Sequence, residues 1–228
     1  MNTPAPTLDL VIFDCDGVLI DSERITNRVF ARMLGELGLT VSDEYMAEQF
    51  FGRSAAESVR RAEQLLGRPL PEDFEERYGA RSRAVLAREV TLMPGVADML
   101  AAIDLPCAIA SNGLRVKMEV TLRATGLLPR FDGCWFCIDD VAHGKPAPDL
   151  YLLAAHRFNA RPAHCVVVED SPTGIAAGVA AGMTVIGYAA HTPAERLVAA
   201  GAQLVFDDMA HLPALLDALG RELAALPA

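Results

Sequence analysis

Leu8-Asp9-Leu10-Val11-Ile12-Phe13-Asp14-Cys15-Asp16-Gly17 decides how this chain is read. A β-rich run from Leu8 to Phe13, apolar except at Asp9, ends abruptly in two aspartates and a glycine. Such a run, bounded by turn formers, is the pattern of a strand buried on both faces. Asp14 and Asp16 are two apart, so in extended chain their carboxylates point to one side while Cys15 points to the other. Two carboxylates at the carboxyl end of a buried strand occupy the place where open parallel sheets bind ligands.

The pattern recurs along the chain. Apolar runs at 107–110, 134–138, 165–168, 184–186 and 204–206 read as further strands. Helical patterns at 114–125, 149–159, 174–181, 193–200 and 212–226 alternate with them. The expected fold is α/β, a Rossmann-like parallel sheet covered by helices on both faces. From Ser22 to Glu89 no strand pattern appears. Ser22-Glu23, Ser54-Ala55-Ala56-Glu57 and Pro71-Glu72-Asp73 read instead as helix starts, and the chain returns at Met93-Pro94-Gly95. This predicts a helical domain, residues 21–91, inserted after the first strand into a core made of 1–20 and 92–228. The arginine-rich stretch 77–88 reads as a solvated helix face.

The chain has 228 residues, 52% of them hydrophobic, and a net charge of −10. That acidity argues against nucleic acid or an anionic membrane as the main partner. No charged residue falls between Ser171 and His191. With Pro172, Gly187 and the run Thr184-Val185-Ile186, the segment reads as helix, turn and buried strand rather than as a membrane span. Residues 1–10 lack a basic residue followed by an apolar stretch, so no signal peptide is expected. Five cysteines, an odd number, suit reduced thiols and a cytoplasmic protein. Cys134 and Cys137 are spaced as C-x-x-C, but no second ligand pair accompanies them, and in a strand they would face opposite ways. His143, beside Gly144-Lys145, reads as a surface-loop residue.

Three further polar clusters complete the pattern, at strand ends or before a helix: Ser111-Asn112-Gly113, Gly144-Lys145-Pro146 and Glu169-Asp170-Ser171. Taken singly, each is a turn or a helix cap as readily as a site. Together they set up to four carboxylates, one lysine and one hydroxyl at a single sheet edge. Clustered carboxylates repel one another unless a cation joins them, and an all-oxygen donor set suits magnesium. Lys145, Ser111 and the backbone N–H groups near Asn112 and Gly113 supply the means to hold an anion on an acidic protein.

These motifs resemble the four of the haloacid-dehalogenase-like hydrolase superfamily. Asp21-Ser22-Glu23 and the helical insertion are similar to its β-phosphoglucomutase-like and sugar-phosphatase branch, where the insertion forms a mobile cap. The resemblance implies a Mg²⁺-dependent phosphatase acting on a small phosphorylated metabolite, a sugar or sugar-acid phosphate, through an aspartyl-phosphate. It implies Asp14 as nucleophile and metal ligand, and Asp16 as general acid/base and, through its carbonyl, metal ligand. Ser111, Asn112 and Lys145 are then the phosphate binders, and Glu169 and Asp170 complete the metal site. Arg53, in Gly52-Arg53-Ser54, is a candidate for substrate specificity. A phosphosugar mutase is the alternative. In such mutases the first cap helix supplies a histidine where this chain has Thr26, and the cap loop an arginine where it has Ala55 and Ala56. Water is therefore the expected acceptor. A metal-free dehalogenase has no use for the acid Asp16, and a non-catalytic protein would not retain every motif position. Oligomeric state has no signature in the sequence.

Overall fold

The computed structural model describes residues 8–50 and 55–225. Strand β1 (Leu10–Phe13) leads through a tight turn to a short strand β2 (Ile20–Asp21). Four helices come next: α1 (Glu23–Glu36), α2 (Asp43–Phe50), α3 (Ala55–Leu66) and α4 (Phe74–Glu89). Strand β3 (Thr91–Leu92) then returns antiparallel to β2, forming a two-stranded neck under the helical insertion. The remainder alternates as expected: α5 (Val96–Ala102), β4 (Cys107–Ala110), α6 (Arg115–Ala124), β5 (Trp135–Phe136), α7 (Asp149–Arg157), β6 (Cys165–Glu169), α8 (Pro172–Ala180), β7 (Thr184–Tyr188), α9 (Ala194–Ala199), β8 (Leu204–Phe206) and α10 (Leu212–Ala224).

Six strands form one parallel sheet in the order β5-β4-β1-β6-β7-β8. Residue-by-residue alternation distributes their side chains to two cores. Val11, Phe13, Val166 and Val168 join α5, α6 and α10 on one face. Leu10, Ile12, Cys165 and Val167 join α7, α8 and α9 on the other. The insertion has a third core of its own, with Phe30, Met33, Leu34, Phe50 and Phe74. Its helix α4 leans on α6.

Two details depart from the expected elements. Ser22 does start α1, but its hydroxyl caps no helix N–H; it donates to Asp16. Helix α4 opens at Phe74 with Asp73 at its N-cap, so Pro71-Glu72-Asp73 precedes the first turn instead of forming it. The β2–β3 neck escaped sequence reading because two residues per strand carry no periodicity. Segment 171–191 is α8, a turn and β7, as expected, and no helix among the described residues is long and apolar enough to cross a membrane. The cysteines are all free thiols; Cys134 and Cys137 flank β5. His143 is exposed and pairs with Asp149 at 3.2 Å. Arg77 and Arg81 lie half-exposed against Glu36, so the solvated face of α4 is also an ion-paired one.

Candidate active site

The carboxyl ends of β1, β4 and β6, with the loop before α7, surround a cavity of ≈ 400 Å³. It brings together Asp14, Asp16, Ser111, Asn112, Lys145, Glu169 and Asp170. Arg53 and the Ser54 cap lie outside the described residues.

Lys145 is the hub. Its ammonium is buried, 2.5 Å from Asp14 Oδ1 and 2.7 Å from Glu169 Oε1. It also lies 4.8 Å from the Tyr151 ring centroid, a cation–π contact. The Asn112 amide holds the lysine's loop: its oxygen accepts from the Lys145 N–H at 2.8 Å, and its nitrogen donates to the Lys145 carbonyl at 3.0 Å. Asn112 thus braces the Lys145 backbone on both its N–H and its carbonyl. Ser111 Oγ accepts from Gly113 N–H at 3.0 Å, which leaves its own O–H to donate.

Glu169 is fully engaged. Oε1 accepts from Lys145 and, at 3.0 Å, from the Tyr151 hydroxyl. Oε2 accepts from the Ser171 N–H and hydroxyl, both at 2.9 Å. Helix α8 can approach this carboxylate only because residue 174 is glycine: a Cβ there would sit 1.6 Å from Glu169 Oε1. Gly17 plays the same part for Asp170. Its φ is +84°, and a Cβ would sit 2.1 Å from Asp170 Oδ2.

Electrostatics separates the carboxyls. Burial lifts Asp14 to about 7; Lys145 opposes that rise, while Glu169 and Asp16 add to it. Burial, then Glu169 and Asp14, push Asp170 well above the usual carboxylate range. Asp16 goes the other way. Burial would raise it, but the Lys117 ammonium at 2.7 Å and the Ser22 hydroxyl hold it below its ordinary value. In the metal-free site the protonated form is thereby favoured at Asp14 and the ionised form at Asp16.

Sequence reasoning missed several residues of this site. Lys117 stands on the inward side of α6, six residues past Ser111, and its helical register beside buried Met118 and Thr121 was the available signal. His191 and Thr192 line the same cavity, as does Arg196. The first two come after β7, so the strand-end rule would have found them. Glu23, at the start of α1, faces both this cavity and the insertion.

The donor set fits a divalent cation. Asp14, Glu169 and Asp170 are buried together with one buried lysine, which leaves uncompensated negative charge. Among the described residues no three Asp, Glu, His or Cys side chains converge into a ready-made cage. Magnesium needs none, since it takes one or two carboxylates and completes its shell with water and substrate phosphate.

Comparison with known proteins agrees with this geometry. Residues 8–182 match the family model of the haloacid dehalogenase-like hydrolases, and the chain belongs to that family. The 6-phosphogluconate phosphatase of Escherichia coli (strain K12) is 30% identical over 219 residues, spanning 96% of this chain and 99% of its own. A solved haloacid dehalogenase-like protein of unknown function from Agrobacterium tumefaciens superposes with a TM-score of 0.84 at 37% identity, covering 93% of this chain and 99% of that one. A hydrolase of the family from Deinococcus radiodurans, solved with bound phosphate and sodium, gives 0.78 at 35% identity, over 98% and 100% of the two chains. This chain is a phosphoric monoester hydrolase.

Proposed function

We propose that the chain is a magnesium-dependent phosphatase of a small phosphorylated metabolite, a sugar or sugar-acid phosphate, working through an aspartyl-phosphate on Asp14. The observation that carries this is the buried Asp14–Lys145–Glu169 cluster with Asp16 lining the same cavity. Asp14 and Asp170, with the Asp16 carbonyl, would hold magnesium, and Glu169 supports the site by fixing Lys145. When bound, the metal neutralises Asp14 and the phosphoryl oxygens and so favours attack by one anion on another.

Asp14 attacks phosphorus, and the P–O bond to the alcohol breaks as the aspartyl-phosphate forms. Lys145 and the Ser111 hydroxyl hold the phosphoryl oxygens. Asp16 donates its proton to the departing alkoxide, then takes one from the water that hydrolyses the aspartyl-phosphate. Residues 21–91 form the cap of this enzyme, over a core of 1–20 and 92–228. Five free thiols suit a reducing cytoplasm.

Water rather than a second sugar is the acceptor. Thr26 stands where a mutase has its histidine. Its hydroxyl is committed to the carbonyls of Ser22 at 3.2 Å and Glu23 at 3.1 Å. A phosphate-release assay across small phosphate esters, with and without magnesium, tests the reading. Magnesium-dependent release is expected, and full activity in excess chelator would contradict it. Phosphorus NMR with β-glucose 1-phosphate tests the acceptor: glucose 6-phosphate accumulating faster than free phosphate would make the enzyme a mutase.

A further inference from the structure

Among the described residues Tyr151 is the largest side chain that is buried completely. It sits in the first turn of α7, and with Leu150, Ala154 and Ala155 it presses that helix against the sheet. A phenylalanine would fill the same space without a polar atom. The hydroxyl therefore needs a reason, since a buried phenol must find a partner. It finds one in the catalytic cluster, where it donates to Glu169 Oε1 at 3.0 Å.

The same residue meets Lys145 twice. Its ring centroid lies 4.8 Å from the ammonium. Its hydroxyl shares with that ammonium a single Glu169 oxygen, which Lys145 approaches at 2.7 Å. A lysine has three N–H donors. Asp14 Oδ1, at 2.5 Å, and Glu169 Oε1 engage two of them. An entering phosphoryl group must compete with both carboxylates for the ammonium. The Tyr151 hydroxyl weakens one competitor, because a carboxylate oxygen that already accepts from a phenol holds a cation less strongly. The ring works differently: it attracts the cation without engaging a carboxylate, and so keeps the ammonium in place while its donors change partners.

We infer that Tyr151 is a positioning residue for the phosphoryl-binding lysine, its ring seating the ammonium and its hydroxyl loosening the hold of Glu169. The inference rests on the phosphatase reading and adds a residue to its machinery. Tyr151 is fully buried and does not line the catalytic cavity, so it acts on a bound phosphoryl group only through Lys145 and Glu169.

Tyr151→Phe tests this, because it keeps the ring and the packing and removes only the hydroxyl. The KM for a phosphate ester and the inhibition constant of inorganic phosphate are expected to rise together, by about tenfold, the worth of one good hydrogen bond to a charged group. The kcat should change far less, since the lysine grips the phosphoryl oxygens before and during the reaction. Tyr151→Leu removes the ring as well and should raise both constants further. Neither constant depends on how much of a variant folds. A second readout separates positioning from distortion. The rise in thermal midpoint that magnesium produces without phosphate should be the same in Tyr151→Phe as in the wild type. Unchanged KM and phosphate inhibition in Tyr151→Phe would show that the hydroxyl serves the core alone, and the inference would fall. Loss of the magnesium effect would mark a general distortion and overturn it equally. A Leu variant no weaker than the Phe variant would remove the ring from the account. Absence of phosphate release by the wild type would bring down the phosphatase reading itself, whereas release with these constants unmoved would bring down only the role of Tyr151.

Discussion

The sheet edge and the helical insertion are built on opposite terms. At the sheet edge the charged groups are tied to one another: Glu169 accepts four hydrogen bonds, Lys145 joins two carboxylates and a ring, and Asn112 braces the lysine's backbone. Inside the insertion the cavity wall mixes aromatic rings, Phe30, Phe50, Phe74 and Tyr78, with polar and charged side chains such as Asn27 and Glu75. A fully wired site holds its groups where charge will develop, which is what phosphoryl transfer requires. The contrast sets a wired cluster of charged groups in the core against a more mixed cavity in the insertion.

That division can be broken most forcefully at Asp14. Asp14→Asn is expected to lower kcat by more than about 10³-fold on every ester, as loss of a nucleophile does, with the far-UV circular dichroism unchanged. A variant that kept a few per cent of wild-type turnover would remove the nucleophile from the core. Asp16→Ala should cost about 10²–10⁴-fold on alkyl phosphates, the usual worth of general acid–base catalysis. On p-nitrophenyl phosphate, whose leaving group needs little protonation, the loss should shrink. Equal losses on both would argue against the acid role.

Lys117 sharpens the comparison, because it touches both regions. It holds Asp16 below its ordinary pKa against the opposing effect of burial. In Lys117→Met that carboxyl should titrate higher. Asp16 must be ionised to take a proton from water, so the acid limb of the kcat profile should move to higher pH, by about one unit or more. An unmoved limb would mean that the 2.7 Å contact does not tune the acid.

The smallest effect is on stability. In the metal-free protein the folded pKa values of Asp14, about 7, and Asp170 lie above the unfolded value. The native state then binds more protons than the unfolded chain between about pH 4 and 7, so these groups favour folding at low pH and oppose it as pH rises through that window. Magnesium should therefore raise the thermal midpoint more at pH 8 than at pH 5. An equal rise at both would place the cation away from these carboxylates.

Much of this was legible because it lies in strands. β4 and β8 span the residues that the sequence indicated, and each site motif lies close to an apolar run. A buried parallel strand is recognisable from composition alone, and the position of a ligand is set by the strand's direction. What escaped was set by tertiary contact. The Lys117 side chain reaches Asp16 across 101 residues of sequence. The Ser22 hydroxyl turns from its helix to the same carboxylate. The Asn112 amide turns to the lysine's backbone, bonding both its N–H and its carbonyl. No spacing rule encodes such choices of partner.

The central claim is covalent, and it can be read directly. Enzyme quenched during turnover and reduced with borohydride converts an aspartyl-phosphate to homoserine, which peptide mass spectrometry locates. The account predicts homoserine at position 14, dependent on substrate and on magnesium. Unmodified Asp14 in enzyme quenched while releasing phosphate at its full rate, or homoserine at another aspartate, would contradict it.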